Sequence, residues 1–458
     1  MSMVGLNQNL IDEILSAGNI FEVGGCVRDA IMGIGKDEKD RDYLVTNISF
    51  DKLVAILKKY GHVDLVGKSF GVIKFTTSPN GDGRSYTYDI ALPRREYSIG
   101  SGHRDFKVDF DHTLPIEKDL ERRDFTVNAI ARNMKTDKLI DPFGGQDDIK
   151  HGVIRMLKSD TFQDDPLRML RAVQFATRFE FEIEPQTYQA IRDNVELIET
   201  ISPERIAEEL NKLLEKSSRP SGGFRLLKET GLLEKIMPEM AVTYEVEQPG
   251  GFHVYDVFTH SILTVDHLPA HNLALRYAGL FHDIAKPQTK FVENGLAHFY
   301  GHDARGADTA EAILTRLRYS HNLISDVVTL IKGHMFTPEV TDKGLRRLIR
   351  RIGENLIYDL LELRRADVSA QGMGNQTPEI DELEQRIRAE LDKKVPLGVG
   401  QLDIDGEIVM REFGLPQSPQ VGEVLNYLLE LVLDDPEKNK QDILIEQARI
   451  YLRDKERE

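Results

Sequence analysis

Cysteine is almost missing from this 458-residue chain. Its one residue of that type, Cys26, excludes an internal disulfide framework and a zinc–thiolate cluster, which fits a reducing cytoplasm. Long apolar runs are absent too. None approaches the roughly 18 residues that a membrane helix needs, so the chain is not expected to span a bilayer. The opening stretch, MSMVGLNQNLIDEIL, lacks the basic start and apolar core of a signal peptide. Nor is positive charge in excess. A net charge of −17 argues against a globally basic nucleic-acid binder, so a polyanionic partner has to meet local basic patches. Internal repeats and low-complexity tracts are also missing.

What is present suffices for folded cores: 40% of residues are apolar and 29% charged, which argues against wholesale disorder. At roughly 150 residues per domain the length suggests about three domains. Residues 1–150 read as mixed α/β. FEVGG, RDYLVTN, VIKFTT and YTYDIAL are apolar runs of strand length, and 78–84 and 98–104 read as hairpin tips or loops. From about residue 155 the pattern becomes helical. The expected division is a head at 1–150, a helical neck at 151–245, a histidine-rich helical domain at 246–375 and an acidic helical tail at 376–458, the whole being α+β.

FEVGGCVRD is a strand running into Gly24-Gly25 and then a helix. Glycines let backbone amides approach a phosphate, and the helix start carries partial positive charge; Gly25 and Arg28 are therefore phosphate-binding candidates. A plain strand–helix turn would use the same glycines. Further on, Asp40-Arg41-Asp42 enters the apolar strand Tyr43-Leu44-Val45. Strand alternation puts Asp40 and Asp42 on one face and Arg41 on the other. Two carboxylates on one face repel unless cations lie between them. Two Mg²⁺ ions about 3.5–4 Å apart, bridging nucleotide phosphates to an attacking hydroxyl, would meet that need. Asp89 is a candidate third ligand from a neighbouring strand. Gly67-Lys68-Ser69 is no Walker loop, because position 62 is His where that motif has Gly.

The run Gly24-Gly25-Cys26-Val27-Arg28-Asp29, followed by Asp40-x-Asp42, resembles the catalytic motif of class II tRNA nucleotidyltransferases and bacterial poly(A) polymerases. These belong to the DNA polymerase β-like superfamily. ERRDFTVNA (121–129) looks like the family's Arg-Arg-Asp segment, and DPFGG (141–145) with Asp147-Asp148 resembles the motif that follows it. The resemblance implies a polymerase β-like head with Mg²⁺ on Asp40 and Asp42. It also puts Arg123 and Asp124 on the ribose side of a nucleotide, with Asn128 a further candidate.

The segment 164–175 is read as one helix on which Asp165, Arg168 and Arg171 recur every three residues as a slanted stripe, while Leu167, Leu170 and Val173 face a core. In the family this segment reads Glu-Asp-x-x-Arg and acts as an amino-acid template. Here Asp164 replaces the Glu, and Gln174 stands where some relatives carry Arg. Cytosine and adenine each offer an amino group beside a bare ring nitrogen. A carboxylate only accepts, so Asp165 suits the amine; a guanidinium only donates, so Arg168 suits the nitrogen. Uracil and guanine reverse that order and would leave buried groups unpaired. The bland alternative is an i,i+3 surface salt bridge worth a few tenths of a kcal/mol. ISPERIAEELNKLLEK reads as a helix with Ser202 as cap and Pro203 and Glu204 in the first turn, and SPERIAEEL (202–210) within it resembles a further family motif. The resemblance implies transfer of C and A from CTP and ATP to a tRNA 3′ end without a nucleic-acid template.

Nine of the thirteen histidines fall between 253 and 334. His260, then His282-Asp283, then Asp367 follow the His…His-Asp…Asp order of the HD phosphohydrolase superfamily, and His302 and His334 stand where two-metal members add ligands. Such ligands suit Mn²⁺, Co²⁺, Ni²⁺ or Fe, and a bound water could attack a phosphoester. His253, His267, His271 and His321 are read as surface or packing residues. Lys343, Arg346, Arg347, Arg350 and Arg351 form a helical cluster that either holds tRNA phosphates or is balanced by acidic neighbours. Arg94-Arg95 are candidates for clamping nucleotide or primer. Rival activities are CC-only or A-only addition, poly(A) synthesis, hydrolysis by the histidine-rich region alone, and RNA binding without turnover. Nothing in the sequence sets an oligomeric state.

Overall fold

The computed structural model describes residues 5–34, 41–65, 72–79, 83–98, 106–248, 254–293, 296–372 and 376–455, and it divides into two compact units, Met1–Pro238 and Glu239–Glu458. Asp40 and His253 lie outside the described residues, as do Gly67-Lys68-Ser69 and most of the two expected loop tips.

All four expected strand runs enter one sheet of the first unit. Its strands are β1 Asn19–Val23, β2 Asp42–Thr46, β3 Gly61–Asp64, β4 Val72–Thr77, β5 Thr87–Ala91, β8 Ala131–Asn133 and β9 Leu139–Ile140, in the order β3-β4-β5-β2-β1-β8-β9; β6 Arg94–Ser98 and β7 Phe106–Phe110 form a separate antiparallel pair. Only β2 and β5 run parallel within the sheet. Period-two alternation sorts the side chains. Ile20, Tyr43, Val45, Phe75, Tyr88 and Ile90 pack with α1 Gln8–Ala17 and α3 Phe50–Leu57; α2 Gly25–Ile31 follows β1. Phe21, Val23 and Leu44 pack on the opposite side with Ile116 and Leu120 of α4 Ile116–Glu121. Asp42 pairs in register with Val23 on one side and Asp89 on the other, so both aspartates share the face of Leu44. Arg41 turns the other way, its Nη1 lying 2.7 Å from Oε1 of buried Glu22.

Helices then take over: α5 Gly145–His151, α6 Thr161–Asp164, α7 Leu167–Phe179, α8 Pro185–Asp193, α9 Pro203–Lys216, α10 Pro220–Thr230 and α11 Leu232–Ile236, with β10 Val153–Ile154 and β11 Glu182–Ile183 in parallel between them. The expected single helix over 164–175 is broken. Proline disfavours the helical region for the residue before it, and Asp165, before Pro166, sits at φ −146°, ψ 101° between α6 and α7. α9 begins as its sequence indicates, with Ser202 at the cap position, Pro203 first and Glu204 in the first turn, although the Ser202 hydroxyl makes no capping bond.

After α12 Pro238–Ala241, the second unit contains α13 Val257–Asp266, α14 Leu273–Phe281, α15 Lys286–Thr289, a hairpin of β12 Phe291–Glu293 and β13 Leu296–His298, α16 His302–Arg316, α17 His321–Gly333, α18 Asp342–Ile352 and α19 Ile357–Ala370. Four more helices follow: α20 Pro378–Asp392, α21 Gly406–Phe413, α22 Pro419–Asp434 and α23 Gln441–Lys455. No helix among the described residues is long and apolar enough to cross a membrane.

Candidate active site and candidate metal centre

The turn after β1 needs its glycine twice over. Gly24 has φ +75°, and a Cβ there would lie 2.5 Å from Nη1 of Arg123. Gly25 then opens α2, whose Arg28 is buried. Its Nη1 donates to Asn128 Oδ1 at 2.5 Å and its Nε to Asp29 Oδ1 at 2.8 Å, while its guanidinium lies 4.5 Å from the Phe179 ring centroid and 5.2 Å from that of Phe175.

Beside this turn opens a cavity of about 450 Å³ lined by Gly24, Gly25, Arg28, Asp42, Arg122, Arg123, Asp124, Asn128, Asp165, Arg168, Arg171 and Phe175. Every expected nucleotide-binding residue is in that lining, and so is Asp42. Asp89 adjoins Asp42 in register, with Lys74 Nζ 3.7 Å from its Oδ1. Asp42 presents carboxylate oxygens to the cavity, the hard donors that Mg²⁺ prefers, while Asp89 is not part of its lining.

Ion pairs fix the cavity wall. Asp124 is buried, which pushes its pKa up, yet the Arg171 guanidinium and the Asn128 amide outweigh burial and hold it below the usual carboxylate range. Its Oδ2 accepts from Arg171 Nη2 at 2.6 Å and Nε at 2.9 Å; its Oδ1 accepts from Asn128 Nδ2 at 2.9 Å. Arg168 Nη2 donates to the Arg122 carbonyl at 2.9 Å. Asp165 Oδ2 accepts from Arg205 Nη2 at 2.9 Å, and Arg171 Nη1 lies 3.7 Å from buried Glu209. The expected stripe therefore reaches one cavity, but Asp165 comes from the break before α7 rather than from its helical face.

Arg205 and Glu209 lie within the SPERIAEEL motif (202–210), but sequence reasoning named neither as a site residue. The DPFGG segment also has a supporting role. Asp141 accepts from the Gly145 and Gln146 amides at 2.8 Å each, Asp148 accepts from Thr126 Oγ1 at 2.6 Å, and a Cβ on Gly145 would meet the Thr126 carbonyl at 2.2 Å. Together these fix the Thr126–Asn128 turn that presents Asn128.

In the second unit, His260 of α13, His282-Asp283 after α14, His302 opening α16, His334 closing α17 and Asp367 of α19 are all buried. His260, His282 and Asp283 form one group whose ligand atoms lie within 4.8 Å of one another, and Asp283, His302 and His334 form a second. Asp283 belongs to both. Asp367 Oδ1 lies 3.0 Å from His260 Nε2. Nδ1 of His282, His302 and His334 faces the carbonyls of Gly279, Phe299 and Ile331 at 2.8, 2.6 and 2.6 Å, which fixes those rings with Nε2 toward the carboxylates. Nε2 of His302 and His334 then face each other at 3.2 Å, an arrangement that favours a cation between them. Burial, with neighbouring His282, pulls the His334 pKa down to about 4, so this ring is neutral near pH 7. The donor set fits a transition metal. His267, His271 and His321 are exposed, as expected.

Residues 20–155 match the Poly A polymerase head domain, 180–243 the RNA and SrmB-binding site of polymerase A, and 302–448 the tRNA nucleotidyltransferase domain 2. The A-adding tRNA nucleotidyltransferase of Deinococcus radiodurans is 38% identical over 331 residues, covering 69% of this chain and 75% of that protein. The Multifunctional CCA protein of Paraburkholderia phymatum is 33% identical over 348 residues, covering 73% and 79%. The chain belongs to the tRNA nucleotidyltransferase and poly(A) polymerase family. In fold it is similar to the Bacillus stearothermophilus CCA-adding enzyme in complex with CTP, at a TM-score of 0.70 and 23% identity over 98% of this chain and 97% of that one. The Thermotoga maritima CCA-adding enzyme complexed with tRNA gives a TM-score of 0.55 at 23% identity, over 98% and 96%.

The cationic face of α18 is balanced by acidic neighbours: Lys343 pairs with Asp434, Arg346 with Glu390, and Arg347 and Arg350 with Glu430 at 2.5 and 2.6 Å. Of the other basic pair, Arg94 lies on β6, and the Arg95 side chain is outside the described residues.

Proposed function

We propose that this protein is a tRNA nucleotidyltransferase that adds C and A to the tRNA 3′ end from CTP and ATP without a nucleic-acid template, in the cytoplasm. The single observation that carries this is the shared cavity: a glycine turn, a strand-borne aspartate and the Asp165/Arg168/Arg171 set all line it. Asp42, with Asp40, would hold Mg²⁺, which neutralises phosphate charge and lowers the pKa of the attacking hydroxyl when bound. Gly25 and Arg28 receive the phosphates at the helix start, and Arg123 and Asp124 meet the ribose side. Asp165 accepts from the exocyclic amine of C or A, and Arg168 donates to the adjacent ring nitrogen. Asp89 and Asn128 support the metal and the ribose side respectively. The four-part division at 150, 245 and 375 belongs to this reading.

The test uses tRNAs lacking the whole CCA end, its last CA, or only the final A, each incubated with one nucleotide at a time and the products sequenced. C, C and A are expected in order. Incorporation of U or G as readily as C or A removes the base-edge reading, and addition of A alone makes the enzyme A-adding.

A second activity is favoured by the buried His/Asp cluster. His260, His282, Asp283 and Asp367, with His302 and His334, would hold Mn²⁺, Co²⁺, Ni²⁺ or Fe in an HD-type domain. When bound, such a metal supplies a water nucleophile for hydrolysis of cyclic or terminal phosphates at damaged tRNA ends. Elemental analysis of the purified protein and of His282→Ala tests the centre.

A further inference from the structure

Tyr300 is 77% exposed, yet its ring is held. It lies parallel to His298, at 3° with centroids 5.5 Å apart, and its hydroxyl is 3.4 Å from His298 Nδ1. The β12–β13 register sets Phe291, 57% exposed, directly across from half-buried His298, so two exposed rings, Phe291 and Tyr300, flank it on the surface. The intervening Phe299 ties this surface to the cluster. Its carbonyl meets His302 Nδ1 at 2.6 Å, and its ring centroid lies 5.2 Å from Lys286 Nζ, which in turn is 2.6 Å from Asp283 Oδ2 and donates to Gln248 Oε1 at 2.6 Å. Gly301, at φ +74°, turns the chain from Tyr300 into α16.

We propose that Phe291, His298 and Tyr300 form a stacking platform for the nucleobase of a ribonucleotide whose phosphate is presented to the His/Asp cluster. This rests on reading that cluster as a phosphohydrolase centre. Flat rings recognise any base by its π-face, so the platform is tolerant of sequence. Proximity supports the assignment: Tyr300 and His302 are two residues apart, at most about 7 Å along the chain. Tyr300 is joined to the metal-ligand candidates through its chain neighbour Phe299, whose carbonyl and ring meet His302 and Lys286.

The experiment uses the full-length protein loaded with Ni²⁺, titrated calorimetrically with 3′-CMP, 3′-AMP and base-free ribose 5-phosphate. Tyr300→Ala is expected to weaken both nucleotides about 10- to 100-fold, while Tyr300→Phe, which keeps the ring, stays within about threefold of the parent. Ribose 5-phosphate binding should be the same in all three proteins. In hydrolysis assays KM should rise for Tyr300→Ala with kcat unchanged. Unaltered nucleotide binding by Tyr300→Ala overturns the platform; so does an equal loss for ribose 5-phosphate, which would mean that the ring shapes the cluster instead. If the parent protein cleaves no phosphoester with any metal, the hydrolase reading falls, and the calorimetric comparison still decides whether Tyr300 seats a base.

Discussion

The head cavity and the histidine cluster solve the same problem, holding charge in place, by different means. Around the cavity, charges hold charges: Arg171 grips Asp124, Arg205 grips Asp165, and Asp42 is left exposed toward solvent. In the cluster the side chains are buried, and backbone carbonyls orient three of the imidazoles. The first arrangement suits a site where a large, highly charged substrate enters and a released product leaves. The second suits an ion that stays. Buried carboxylates need cationic partners, and here Lys286 pairs with Asp283 and Arg364 with Asp367, whereas the exposed Asp42 can meet water.

The sharpest break between the two is Asp42→Asn. Nucleotide addition should fall by about three orders of magnitude or more, because the metal-binding carboxylate is lost while its shape is kept. Circular dichroism and melting temperature should hardly move, since Asp42 is exposed. Metal content of the histidine cluster should be unchanged. Retained nucleotide addition would show that the cavity is not where transfer occurs.

The reverse substitution is Asp283→Asn. Asp283 belongs to both ligand groups, so one neutralised carboxylate weakens two positions at once. Metal bound after dialysis should drop at least about tenfold in apparent affinity, in line with the loss of one ligand. Addition of C and A should stay within about twofold of the parent. A parallel collapse of nucleotide addition would mean that the two centres are coupled.

The two regions also differ in how much of them could be read from residues alone. Strand alternation and the glycine turn are local signals, so β1, β2, β4 and β5 and the face shared by Asp42 and Asp89 were legible. The histidine cluster was legible because its residue types are rare and ordered. The Asp165 position was misread as helical although Pro166 stood in plain view, because the three-residue spacing persists through the turn. What could not be read were partners distant in sequence. Arg205 meets Asp165 from 40 residues away, and the counterions of α18 lie 80 to 91 residues downstream for Arg350, Arg347 and Lys343. No local period encodes such pairings.

Arg205 sharpens the comparison further, because on the proposed reading its ion pair, together with the Leu167 amide, holds the carboxylate that meets the base. Arg205→Met should leave the fold intact and raise misincorporation of U or G about 10- to 100-fold, the scale of a small misplacement of a recognition group. Arg205→Lys should recover part of that selectivity. A variant that melts early but selects normally would reduce Arg205 to a packing residue.

The smallest effect is expected on α18. Arg347 and Arg350 each pair with Glu430 at partly exposed positions, and such pairs contribute about 0.2–1 kcal/mol. Replacing both with Ala should therefore lower the melting temperature only slightly. If these guanidiniums neutralised tRNA phosphates, the double variant would flatten the dependence of log K on log salt by about two, one for each lost contact. The expected slope is instead that of the parent. Glu430→Gln is the control that separates the two accounts: it removes the carboxylate that both arginines share, leaving Arg347 with Asp434 at 3.6 Å, so tRNA binding should strengthen if phosphate lies within their reach and stay constant otherwise.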